Sequence, residues 1–235
     1  MTGRTLRTRV RPSVRRVREL AALTISTANP GQEERVMTAS RSWWLLSDRL
    51  LRGIMHQLSN RAYALLTVAT ELEEAGTAET VALLRSEAAR LESAVRLLGL
   101  LPAAESHTAE SVDPAKLLHD VVALYELRAG ARVPRCRVNV EDGVPHTSAD
   151  VSRLARVLLL ACEFAAGEEL AVSIDASRDG ASLSIVVRQD ADSSPMCAPH
   201  QLDELAALAA PDDGMVEAGD DGRIQLRYPA SYSGG

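Results

Sequence analysis

Residues 51–72 read LRGIMHQLSNRAYALLTVATEL. Apolar side chains recur at Leu51, Met55, Leu58, Ala62, Leu65, Ala69 and Leu72, in alternating steps of four and three. This is a heptad seam, and it predicts a helix packed along its length against another helix. Met55 and Leu58 are read as core. His56 stands one position past a seam residue and therefore on the flank. An imidazole held beside a packing seam is either a reactive group or an exposed polar residue, and the rest of the chain bears on which.

A second seam follows at Val81, Leu84, Ala88, Leu91, Val95 and Leu98. Gly76 separates the two, so the pattern predicts an antiparallel helical hairpin over residues 41–102. Ser40 or Ser42 offers an N-cap, Trp43 and Trp44 cap the bundle end, and the first helix is expected to run to about Glu74. Pro102 closes the second helix. A lone hairpin leaves apolar surface uncovered. The expectation is a homodimer in which two hairpins form a four-helix bundle.

Upstream, Arg4, Arg7, Arg9, Arg11, Arg15, Arg16 and Arg18 all precede the first acid, Glu19. Residues 1–40 read as a basic, disordered tail. Two readings stay open beside it: translation starting at Met37, or an arm for an acidic partner or anionic membrane surface. Downstream, AAESHTAES at 103–111 reads as a linker. Residues 112–229 then change character, and residues 230–235 read as a second tail.

In that second half Asp113 caps a helix with Pro114 at its first position, running to about Leu127. Arg137–Val140 alternates as a strand. A helix opens at Ala149-Asp150, carrying Leu154, Val157, Leu158, Ala161 and Ala165 on one face. Leu170–Ala176 alternates, Asp179-Gly180 is a hairpin signal, and Leu183, Ile185 and Val187 continue in the returning strand. Pro199–Ala210 reads as a helix and Gly222–Tyr228 as a last strand. Glu163, Glu168 and Glu169 read as a solvated helix end. The fold class expected is α+β: a helical hairpin followed by a mixed sheet with helices on one face.

Composition agrees. Of 235 residues, 46% are apolar but only 3% aromatic, which suits Leu- and Ala-rich packed helices. The net charge of −6 argues against nucleic acid as the main partner. Cys136, Cys162 and Cys197 form no metal-binding spacing, and no apolar run reaches membrane-spanning length. A cytoplasmic location with reduced thiols is expected.

The order of parts resembles the histidine kinase core, in which a dimerising, His-bearing hairpin precedes an ATP-binding α/β sandwich. The residues that carry the resemblance are His56-Gln57-Leu58-Ser59-Asn60, the stretch Asp150–Ala166 (DVSRLARVLLLACEFAA), and the ending Asp221–Pro229 (DGRIQLRYP). The family places an Asn on the middle helix to help hold Mg²⁺; the comparable position here is Phe164 or a neighbour. It places an Asp-x-Gly-x-Gly turn after the following strands; here Asp190–Pro195 (DADSSP) contains no glycine. The lid region, taken as about Pro199–Gly219, has only Gly214 and Gly219, flanked by Asp212, Asp213, Asp220 and Asp221. A phosphate cradle needs closely approaching backbone N–H groups and no excess of carboxylates. The ATP site therefore reads as lost.

What remains resembles the degenerate, kinase-derived histidine phosphotransferases of the ChpT type. The resemblance implies His56 as phosphoacceptor and receiver domains of response regulators as partners. It implies no cofactor of its own, Mg²⁺ coming with the receiver. In the family the residue after the His is usually acidic; Gln57 can hydrogen-bond to the imidazole but is no base. Asn60 lies one turn beyond His56, where the family's Thr or Asn positions a water. Arg52 and Arg61 could attract a phosphorylated acidic surface. Two alternatives stay open: a divergent sensor histidine kinase, and a non-catalytic dimeric scaffold. His107, His119, His146 and His200 lack comparable context.

Overall fold

The structure is a computed structural model; it describes residues 30–101, 108–127, 136–166, 171–189, 197–219 and 221–231. Residues from Ala39 onward form one compact unit. The Arg-rich stretch up to Glu19, His107, Glu168, Glu169, Pro102 and Asp190–Pro195 lie outside the described residues.

Helix α1 spans Pro30–Ala75. It starts well upstream of the expected cap at Ser40 or Ser42. Proline is tolerated at a helix start, and Gln32, Glu33 and Glu34 follow it where a helix N-terminus favours acids. The residues from Pro30 to Ser40, read as part of a tail, therefore open α1. Helix α2 spans Ala78–Leu98, and Thr77 Oγ1 accepts the Thr80 N–H at 3.2 Å as its N-cap.

Strand β1 (Glu110–Val112) pairs antiparallel with β3 (Thr147–Ala149). Neither was expected. The end of the supposed linker is thus part of the fold. Helix α3 (Pro114–Glu126) begins as its cap predicts, with Asp113 Oδ1 accepting the Ala115 N–H at 2.9 Å. Next come β2 (Cys136–Val140) and α4 (Val151–Ala166), then β4 (Val172–Asp179) and β5 (Ser182–Gln189). Helix α5 (Pro199–Ala209), β6 (Met215–Ala218) and β7 (Ile224–Pro229) complete the chain.

The main sheet runs β2-β4-β5-β7-β6, with β2 parallel to β4 and the other pairs antiparallel. Gly180 turns the β4–β5 hairpin at φ +60°, a left-handed value that suits glycine. Alternation buries one sheet face: Val172, Ile174 and Ala176 on β4, Leu183, Ile185 and Val187 on β5, and Ile224, Leu226 and Tyr228 on β7. The buried faces of α3, α4 and α5 share that core. The α+β class expected from the sequence is what the chain adopts.

Leu46, Leu50 and Ile54 of α1, and Leu97 of α2, belong to the same core. Burial of three aliphatic side chains contributes on the order of 2 kcal/mol each, so the hairpin is packed onto the sandwich. The stripe that docks α1 is offset from the expected seam. Leu58, Leu65, Ala69 and Leu72 are partly buried, whereas Leu51, Met55 and Ala62 are exposed. Met55, read as core, is 57% exposed within the chain.

The helix expected at Pro199–Ala210 is present. Between β5 and β6 lies helix α5, and Gly214 and Gly219 are the turn residues bounding β6. Gly214 faces the ring of Tyr228, with no space for a Cβ. Both glycines serve packing and strand ends.

Candidate functional site

His56 lies on the exposed side of α1, directly after the part of the helix that the sandwich holds. Three contacts fix that part. Ile54 is fully buried. Gly53 abuts the Leu127 carbonyl at the end of α3 so closely that a Cβ would fall on it. One turn earlier, Arg49 pairs with Glu163 of α4 at 2.9 Å. The helix therefore cannot roll or slide at His56 without breaking packed contacts, and its imidazole is presented on a fixed backbone.

Around the ring, Asn60 Nδ2 is 3.2 Å from His56 Nε2. Gln57 does not reach the imidazole: its side-chain carbonyl is buried without a partner. Ser59 donates to the Met55 carbonyl at 2.8 Å. Arg52 is ion-paired with Asp48 on its own helix. Arg61 turns towards α2 and pairs with Glu87 at 3.1 Å; Glu87, only 5% exposed, also pairs with Arg90. The structure thus brings together His56 and Asn60. It leaves Arg52 near them at the surface, half-buries Gln57 and turns Arg61 onto α2.

A second polar cluster lies where α1, α4 and α5 meet. The Arg156 guanidinium stacks on Trp43, 4.9 Å from the ring centroid, a cation–π contact. Glu204 of α5 is buried beside it. Burial pushes the Glu204 carboxyl up to about 7, while the nearby Ser42 hydroxyl and the charge of Arg156 act the other way. Burial likewise lowers Arg156, with Glu204 opposing. Trp43 is therefore a joint between hairpin and sandwich; Trp44 is exposed. Glu163, read as solvated, bonds Arg49 and accepts from the Tyr125 hydroxyl at 3.1 Å. The sequence signal for this joint was available: Trp43 precedes Leu46, Leu50 and Ile54 at helical spacing.

Below it, Asp212 accepts from the Asp150 backbone N–H and pairs with Arg153 at 3.0 Å. Burial still leaves its carboxyl above the ordinary value. On the outer face of the sheet, Arg137, Asn139, Ser173, Asp175 and Arg188 line a polar groove of about 470 Å³. Arg188 pairs there with Asp175 at 3.1 Å. Among the described residues no cluster of three or more His, Cys, Asp or Glu could hold a metal ion, and no helix is long and apolar enough to cross a membrane.

No protein-family model matches the chain, and no curated protein matches it. Solved structures share its general arrangement. The histidine kinase AdeS of Acinetobacter baumannii is 12% identical, with TM-score 0.44, over 75% of this chain and 98% of that one. Full-length ShkA in complex with AMPPNP is 23% identical, with TM-score 0.45, over 86% of this chain and 47% of that one. A histidine kinase from Burkholderia phymatum is 20% identical, with TM-score 0.40, over 88% of this chain and all of that one. At these identities and scores the likeness adds nothing to what the strand order already establishes, namely a helical hairpin followed by a mixed-sheet sandwich.

Proposed function

We propose that this chain is a histidine phosphotransfer protein that exchanges a phosphoryl group between His56 and an aspartate of a response-regulator receiver domain, without using ATP. One observation carries the reading: an exposed imidazole, its Nε2 met by Asn60 at 3.2 Å, stands on a helix pinned one turn before it. In-line phosphoryl transfer gains from positioning above all, and a fixed, solvent-facing nucleophile supplies it. The receiver brings its own Mg²⁺, so the chain contributes the nucleophile and a docking surface. Arg52 at the rim is the cation for an acidic partner.

Independence from ATP is supported by the middle helix and by distance. Helix α4 carries no Asn, and the resemblance would place one at Phe164 or a neighbour. Trp43, on which Arg156 of α4 stacks, lies thirteen residues before His56 on α1, roughly 20 Å along a helix. A homodimer through the hairpin is part of the proposal, because Leu51, Met55 and Leu66 form an uncovered apolar stripe.

The test is incubation with a receiver domain carrying radiolabelled aspartyl phosphate, with and without ATP. Label is expected to move to this protein without ATP, and His56→Ala is expected to abolish it. Labelling of the His56→Ala protein would refute the site; labelling from Mg²⁺–ATP alone would establish a divergent kinase instead.

A further inference from the structure

The immediate neighbours of His56 divide sharply in what they can do for its ring. Gln57 is half-buried, with its carbonyl turned away from solvent and unpartnered. Ser59 is engaged with the Met55 carbonyl and Arg52 with Asp48. Among the described residues, Asn60 is the side chain that meets the imidazole, and it does so through its amide nitrogen at Nε2.

An amide nitrogen is a donor only, and a neutral imidazole has one donor and one acceptor nitrogen. We propose that Asn60 sets the tautomer of His56: its amide N–H donates to Nε2, so the ring proton resides on Nδ1, and Nε2 holds a lone pair that attacks phosphorus once the Asn60 side chain turns aside and the hydrogen bond breaks. Asn60 is on this account a positioning residue, one turn from the nucleophile and on the same face. The role differs from the water-positioning one that the sequence resemblance implies. It acts on the ring itself, before any phosphate is present.

The covalent step rests on the phosphotransfer reading. The Nε2 lone pair forms the N–P bond, the P–O bond to the partner's aspartate breaks, and its electron pair leaves with the carboxylate. Nδ1 keeps its proton during transfer and releases it to water as the ring returns to neutral. The same ring with its proton on Nε2 has no lone pair facing outward at that nitrogen, and a misplaced imidazole proton is known to be costly in catalysis.

The tautomer is read by long-range ¹H–¹⁵N correlation spectra of the full chain at about pH 8, where an ordinary imidazole is neutral. In the parent, His56 is expected to show an unprotonated Nε2 and a protonated Nδ1. Asn60→Ala should lose that preference. Asn60→Asp should invert it, because a carboxylate only accepts and would draw the proton to Nε2. Circular dichroism checks that both variants fold, as expected for an exposed site.

If receiver domains do label the parent, Asn60→Asp should slow that transfer by about tenfold or more, with Asn60→Ala between. A parent His56 protonated on Nε2, or an Asn60→Asp protein that transfers at the parental rate, overturns the proposal. The spectrum needs no phosphate donor. A locked tautomer without any transfer would therefore refute the phosphotransfer reading and leave the tautomer assignment standing.

Discussion

Gly53 sits in the helix that carries His56, and two effects oppose each other there. Alanine is the better helix former by roughly 0.5–1 kcal/mol. A Cβ at this position, however, lands on the Leu127 carbonyl, a backbone atom at the end of α3 that no side-chain rotation can clear. Overpacking of that kind costs about 1–3 kcal/mol, so the contact wins over propensity. Gly53→Ala is expected to lower stability by about 1–2 kcal/mol, measured as a drop in the denaturant midpoint at unchanged slope. A rise in the midpoint would mean that α1 and α3 do not meet there. A sequence cannot show such a requirement, since a mid-helix glycine reads only as a weak point. His56 was legible by contrast, because its offset from an apolar repeat is a property of α1 alone. Its link to Asn60 followed from helical spacing, whereas the half-burial of Gln57 did not, since only the packed fold decides it.

Helix α1 carries two apolar stripes, and that accounts for the displaced seam. Leu46, Leu50 and Ile54 face the sandwich, Val68 is buried farther along, and Leu51, Met55 and Leu66 remain outside. A heptad count averages over stripes that serve different partners, so it placed Met55 and Leu58 in one row. Long elements with caps were readable, as Asp113-Pro114 and the β4–β5 alternation show. Strands β1, β3 and β6 were not, because three or four residues are too few to show a period of two. The uncovered stripe belongs to the proposed dimer, and Leu66, 66% exposed and ten residues beyond His56, probes it without touching the site. A buried charge in a self-paired stripe appears twice per dimer and is strongly unfavourable. Leu66→Glu is expected to shift the mass seen by light scattering from dimer to monomer, with helix content unchanged by circular dichroism. An unchanged mass would remove this stripe from the interface.

The molecule from Ala39 onward holds together through a junction that also contains its most perturbed carboxyl. Glu204 is 4% exposed between α5, Arg156 of α4, and Ser42 and Trp43 of α1. Its folded-state pKa is raised from 4.5 to about 7, with desolvation as the main cause. The sign follows from linkage. A carboxyl whose pKa is raised by folding binds its proton more tightly in the folded state, so its contribution is fully favourable below pH 4.5 and is lost as pH rises through about 7. Asp212 is shifted in the same sense and adds to the slope. Arg156 moderates the loss, because the ionised carboxylate gains a cation at the moment it becomes costly. Glu204→Gln keeps the shape and removes the charge. Relative to the parent, the variant is expected to gain thermal stability steadily between pH 4.5 and about 7 and to level off above that; Asp212 leaves a residual slope in both proteins. Because Glu204 faces α1, the parent's loss should appear first as weakened protection of α1 amides between Ser42 and Ile54 in hydrogen exchange, ahead of the sheet. Parallel melting-temperature profiles for the two proteins across that range would show that Glu204 is not the titrating group. Equal loss of protection in α1 and β5 would show that the hairpin and sandwich open together, and not at the joint.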